Sequence, residues 1–360
     1  MPLPPGHTAA LLLNVGSPQS PTPWHVASYL TQFLTDRRVL TLPWLLRQLL
    51  VRGFIVPSRT FQSAAKYRRI WTDEGSPLLL NAQKQQQGLA QRLPHMRVLS
   101  AMRYGEPSVA QAVDTLMQQP PALLLAVPMF PHYSAATTAT GVEALVRCMA
   151  RHAFVPPLRV VEPLSALPTF HPSLGQKLRR HAQNFGPQHL LFSFHGLPLS
   201  HIRAACGPGC QNTCLQPAPT PGGQGGAPRC YVHQCHSTSH TLASFVQGLP
   251  FSVAFQSRMR GSAWVGPSTL EVAKTLAKQG VARLMAVCPS FVCDCLETLE
   301  EVGGGWARLF CAPVGRPLSV CPASTTRPHG WTASHKGCGR RHNKRGFKCG
   351  FGSLSREGGV

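Results

Sequence analysis

The sequence predicts an α/β protein of two Rossmann-like lobes, each a four-stranded parallel sheet flanked by helices, with a cleft between them. Three observations carry that expectation. Short apolar runs alternate with stretches of helical spacing. Several of the runs stop at a turn containing Gly, Pro or His. The chain has 360 residues, 43% of them hydrophobic, enough for two domains with cores of their own.

The first run, Ala9–Val15 (AALLLNV), is apolar throughout, as a buried strand must be, and stops at Gly16-Ser17-Pro18. Trp24–Leu34 has helical spacing, and His95–Tyr104 reads as the next strand. Pro107–Met117 reads as a helix and Ala122–Val127 as a strand. Gly141–Ala153 is then helical and Leu158–Val161 extended. The alternation continues with helix Leu174–Asn184, strand His189–Phe194, helix Thr238–Gln247 and strand Ser252–Gln256. Helix Thr269–Gln279, strand Arg283–Val287 and a helix from Asp294 to Val302 complete it. The expected division is a first lobe at 1–140, a second at 141–302 with a Cys-rich insert at 204–236, and a tail at 303–360.

Charge is unevenly spread. Lys and Arg number 35 against 13 Asp and Glu, a net +22. Residues 302–360 hold ten of the basic residues, 12 Gly, four Cys and one acid, Glu357, and show neither helical nor strand periodicity. This segment reads as a disordered basic tail. The same Gly/Arg/Cys/Pro mixture is what a shifted reading frame in a GC-rich gene yields. The remaining alternative is a nucleic-acid or membrane module. No apolar run reaches the roughly 20 residues of a membrane span, since the run at Leu123–Phe130 is cut by Pro128. The N-terminus shows no signal or transit pattern, which argues against a secreted disulfide scaffold.

In a doubly wound architecture, sites form beyond the carboxyl ends of the strands. There the sequence places His195-Gly196-Leu197-Pro198 after one strand and Met129-Phe130-Pro131-His132-Tyr133-Ser134 after another. After a third come Asp294, Glu297 and Glu301, at i, i+3 and i+7 on one helical face. An imidazole at a strand exit can accept protons near neutral pH. It is also an ordinary turn residue in many folds. Carboxylates on one helical face can move protons or bind divalent cations, or simply answer the helix dipole.

Nine segments in order resemble the ferrochelatase family, which inserts ferrous iron into protoporphyrin IX. They are LLLNVGSPQSP (11–21), SYLTQFLTDRRV (28–39), the 59–76 stretch with YRRIW and GSPL, AMRYG (101–105), MFPHYS (129–134), SFHGLP (193–198), CYVHQC (230–235), FQSRM…WVGPST (255–269) and CPSFVCDCLETLEE (288–301). The resemblance implies a chelatase-type fold with the porphyrin between the lobes, and a lyase of heme biosynthesis. It implies that His195 is the base and Glu297 the carboxylate across the cleft. Glu301 and Asp294 would then lead protons or water along the helix, and His195, Glu297, Glu301 and Asp294 would meet the metal. Tyr67, Tyr133 and Trp264 would grip the ring. Arg59, Ser76, Arg103 and Tyr104 would bind the propionates. The family often has histidine where Cys295 stands. The partners implied are protoporphyrin IX and Fe²⁺, the latter as substrate. The location implied is cytoplasmic, with peripheral contact to the inner membrane. Nucleic acid is not an expected partner. A chelatase for coproporphyrin III or cobalt, and an inactive paralogue, are the rivals.

Some members of the family carry a [2Fe–2S] cluster in an insert at the place occupied here by Cys206, Cys210, Cys214, Cys230 and Cys235. Four thiolates are needed, and Cys206, Cys210, Cys214 and Cys235 are the favoured set, with Cys230 as substitute. Zinc on the same thiolates and plain reduced cysteines are the alternatives. The resemblance stops near Val302.

Overall fold

The computed structural model describes residues 8–206, 230–258, 263–306, 318–321 and 331–333. Its first sheet holds β1 (Thr8–Gly16), β2 (Met96–Tyr104), β3 (Leu123–Pro128) and β4 (Leu158–Val160), all parallel, in the order β2-β1-β3-β4. β1 lies in the middle, so both its faces need cover. The two-residue period of the strand sends Leu11 and Leu13 to one side and Ala10 and Leu12 to the other. Leu11 and Leu13 pack with Val113 and Leu116 of α5 (Val109–Met117) and Leu145 of α6 (Thr140–Met149). Ala10 and Leu12 face Leu89 of α4 (Pro77–Arg92).

The second sheet runs β6-β5-β7-β8-β9. β5 (His189–His195), β6 (Phe251–Gln256), β7 (Leu284–Val287) and β8 (Leu318–Cys321) are parallel, and β9 (Trp331–Ala333) pairs antiparallel at the edge. Leu190, Phe192 and Phe194 pack on α7 (Phe170–Phe185) and α9 (Tyr231–Ala243). Leu191, Ala254 and Ala286 pack on α10 (Thr269–Lys278).

The expected strands and their alternation with helices are present, with four corrections. First, β4 pairs with β3, so the first sheet closes beyond the boundary expected at residue 140. The crossover helix α6 also packs on β1, inside the first lobe. Second, the 35–94 region carries α2 (Trp44–Leu50), a π-helical turn (Val51–Ile55), α3 (Val56–Ile70) and α4, none of them anticipated. Third, α9 begins at Tyr231 rather than Thr238, and the helix expected from Asp294 is a π-helix over Glu297–Trp306. Fourth, β8 and β9 fall inside the segment read as a patternless tail. The rest of that tail lies outside the described residues.

The two lobes share apolar cores. Leu78, Ala82 and Met102 of the first pack with Val292, Cys293 and Cys295 of the second. Val26, Ala64 and Tyr67 meet Leu296. The segment after β7 is therefore built into both lobes.

At the end of β1, Gly16 has φ +107, and an added Cβ would stand 1.8 Å from the Tyr104 carbonyl oxygen. Gly16→Ala is expected to cost about 3 kcal/mol or more, read as a lowered urea midpoint with unchanged slope.

Candidate active site

β5 ends the apolar core with His195. The strand before it is fully buried, so the imidazole emerges at the carboxyl edge of the sheet. Its backbone is fixed from two sides. The His195 N–H donates to Ser290 Oγ at 3.3 Å, and Tyr231 donates its hydroxyl to the His195 carbonyl at 2.8 Å. The next residue must be glycine, because a Cβ at Gly196 would lie 2.6 Å from the Gln256 carbonyl oxygen and 3.4 Å from the Trp264 ring. The His195 ring stands edge-on to Phe291, with centroids 6.3 Å apart. Burial lowers the His195 pKa and the Glu297 carboxylate opposes that shift, so the ring is neutral at pH 7. Its buried Nδ1 has no protein hydrogen-bond partner.

Glu297 opens the π-helix. Its carboxylate also raises Tyr29 and Tyr67 of the first lobe, second to burial for Tyr29 and behind burial and Tyr29 for Tyr67. The structure thus brings His195, Glu297, Tyr29 and Tyr67 to one place where the lobes meet. Tyr29 and Tyr67 are edge-on at 6.3 Å, and Tyr67 is also edge-on to Trp71. Thr298 Oγ1 accepts from the Cys295 N–H at 3.0 Å and lies 3.1 Å from Asp294 Oδ1. Ser257 donates to Glu301 Oε2 at 2.6 Å. Burial pushes the Glu301 carboxyl above the ordinary range, against that hydrogen bond. Ser257 itself sits at φ +64, the only non-glycine residue at positive φ among those described.

Among the described residues no group of three His, Cys, Asp or Glu side chains could hold a metal ion. His195, Glu297, Glu301 and Asp294 are thus not gathered into a resident metal cage. A metal that passes through as substrate needs no resident cage.

The other expected ligand residues are distributed unevenly. Trp264 faces the His195–Gly196 turn, its buried Nε1 without a protein partner. Tyr133 lines a cavity of about 1650 Å³ together with Arg37, Arg38, His171, His201 and His233, and neither His195 nor Glu297 lines it. Arg59 is exposed on α3. Ser76 is buried and donates to Ser17 Oγ at 2.7 Å. Arg103 and Tyr104 both turn to Asp36, at 2.6 and 2.9 Å, and Thr140 joins them at 2.5 Å. Their polar groups are engaged by a carboxylate that the sequence reading passed over. Lys66 and Arg258, also passed over, line a pocket of about 290 Å³ beside Ser257, Glu300 and Glu301.

Cys230 and Cys235 are fully buried in the core of the second lobe. Burial pushes the Cys235 thiol well above the ordinary thiol range. Cys206 ends α8 (Leu199–Cys206), while Cys210 and Cys214 lie outside the described residues.

Paired parallel-sheet lobes with a neutral imidazole at one strand exit and a carboxylate at another define a chelatase-type α/β enzyme. A family model described as ferrochelatase matches residues 7–333. The chain belongs to the ferrochelatase family. It is 38% identical over 327 residues to the ferrochelatase of Azotobacter vinelandii, covering 89% of this chain and 95% of that protein. It is 37% identical to that of Pseudomonas savastanoi pv. phaseolicola, covering 89% and 94%. The solved structure of SirB from Bacillus subtilis with Fe3+ aligns at a TM-score of 0.49 and 11% identity, covering 89% of this chain and 90% of that one. The family match runs past residue 302, where the resemblance had seemed to end, and through β8 and β9.

Asp36 makes a direct prediction. Burial alone would raise its carboxyl, but hydrogen bonds from Thr140 and the Arg38 N–H, with the Arg103 charge, hold it below the ordinary value. A depressed folded value means the contribution is complete above the unfolded aspartate pKa of about 3.9 and fades as pH falls further. Asp36→Asn is expected to cost about 2 kcal/mol at pH 7 and to flatten the acid limb of a stability–pH curve.

Proposed function

We propose that the His195–Glu297 site inserts ferrous iron into protoporphyrin IX, the reaction that makes protoheme. One observation carries the roles: a half-buried neutral imidazole and a carboxylate share one electrostatic site where the lobes meet. Insertion exchanges two pyrrole N–H protons for one Fe²⁺, so two protons leave and no electron moves. His195 takes a pyrrole proton as general base. Glu297 stabilises the imidazolium that forms. Glu301, whose raised pKa suits it to hold a proton, and Asp294 carry protons from the site along the π-helix. Tyr67, Tyr133 and Trp264 grip the ring. Arg59 meets a propionate at the cleft edge, and Lys66 and Arg258 offer further cations. Arg103, Tyr104 and Ser76, held by Asp36 and Ser17, line the propionate side with Arg59. A [2Fe–2S] cluster would take Cys206, Cys210, Cys214 and Cys235, with Cys230 as substitute; an absorbance scan of the purified protein reads its presence directly.

The same protein meets an anionic bilayer surface from the side of the first lobe. Residues 37–72 hold eight Lys or Arg and no acid, with Arg47 buried and Arg37, Arg38 and Arg69 paired to acids elsewhere in the chain. Along the same stretch Trp44, Leu45, Leu46, Leu49, Phe54 and Phe61 are each more than half exposed. Apolar side chains with cations and no anions are what an interfacial helix presents to acidic lipid. No described helix is long and apolar enough to cross a membrane.

Incubation with Fe²⁺ or Zn²⁺ and protoporphyrin IX is expected to collapse the Q bands. His195→Ala is expected to slow this about 10²–10⁴-fold. Because the His195 pKa is lowered, kcat/KM is expected to hold down to pH below about 6.5 and fall only beneath it. Insertion unchanged in His195→Ala defeats the mechanism. In flotation assays the protein is expected to follow phosphatidylglycerol vesicles but not phosphatidylcholine ones. Serine at Leu45, Leu46 and Leu49 together is expected to abolish that; equal flotation with both lipids, or none with either, removes the bilayer reading.

A further inference from the structure

We propose that Arg69 is a positioning residue: from the end of α3 in the first lobe it grips Glu300 on the π-helix of the second and so sets Glu297 and Glu301 in place. The inference rests on the reading of Glu297 and Glu301 given above. Arg69 Nη1 pairs with Glu300 Oε1. The Glu300 side chain is 9% exposed, whereas that of Arg69 is 54% exposed, so the cation reaches in from the surface. Glu300 stands three residues from Glu297 and next to Glu301, in a stretch with four carboxylates in eight residues. Such a helix repels itself, and the Glu300 charge also adds to the rise of Glu301.

This helix is attached from both lobes. Ser257, at the end of β6, holds Glu301 from its own lobe. Leu296, just before the helix, packs against Tyr67 and Ala64 of α3. Arg69, two residues after Tyr67 on α3, supplies the ionic attachment on that same side. Apolar contact sets closeness but not rotation about the helix axis. A directed ion pair sets rotation, and rotation decides where the Glu297 carboxylate stands relative to His195. A misplacement of about 1 Å at a reacting group can cost on the order of 10²-fold in rate.

The test uses the full chain carrying Arg69→Ala, Arg69→Lys, Arg69→Glu, Glu300→Arg and the Arg69→Glu/Glu300→Arg double reversal. Arg69→Ala is expected to lower kcat for metal insertion about tenfold while the porphyrin KM stays within about twofold. Arg69→Lys is expected to keep at least about half of kcat, and the double reversal to recover most of what each single reversal loses. Amide exchange over 297–306 is expected to be about tenfold faster in Arg69→Ala, with β1 and β5 still protected. An unchanged kcat in a folded Arg69→Ala overturns the proposal, whether or not exchange quickens. So does a double reversal no better than the single ones. Should the wild-type protein insert no metal, the functional reading falls, while exchange over 297–306 still decides whether Arg69 holds the helix.

Discussion

The arrangement depends on a competition over one half-buried imidazole. Removing His195 from water disfavours its charged form, and the Glu297 carboxylate favours it. With burial the stronger effect, the ring rests neutral and able to accept a proton, and the proton once taken meets a nearby anion. Both sides of this balance are set by tertiary structure. Burial comes from a strand that runs apolar to its last residue and from the Ser290 and Tyr231 bonds that fix its exit. The anion comes from a helix attached to both lobes. The segment leading into that helix packs into both lobes, so the shared core of Leu78, Met102, Val292 and Cys293 bears on chemistry as well as on stability.

Much of this was legible in the sequence wherever the determinant is local. β1, β5 and β7 are covered on both faces and so read as unbroken apolar runs. His195-Gly196 at a strand exit can be seen without coordinates, and the glycine proves necessary because the Gln256 carbonyl and Trp264 lie where its side chain would be. The nine family segments agree with the family match, which also extends further than they did.

What was not legible depended on partners distant in sequence. Nothing local to Arg103 and Tyr104 shows that both are held by Asp36. β4 was assigned to the wrong lobe because strand pairing follows from the crossover, which no local pattern records. The region of α2 and α3 was passed over because it points Trp44, Leu45, Phe54 and Phe61 outward while Val51, Val56 and Ala64 point inward. Apolar residues on both sides erase the periodicity by which a helix is recognised. Asp294, Glu297 and Glu301 fit an α-helical face, and nothing in their spacing announces bonds from i to i+5.

The distribution of charge has a consequence for how the lobes are held together. Thirty-six consecutive residues of the first lobe, 37–72, lack any anion, while a third of the chain's acids before residue 302 fall between 294 and 301. The two stretches meet where the lobes do: Arg69 pairs with Glu300 and the Lys66 charge acts on Glu301. The carboxylates that would attract a dication are thus partly neutralised from the opposite lobe, and attraction between unlike stretches helps hold the lobes together.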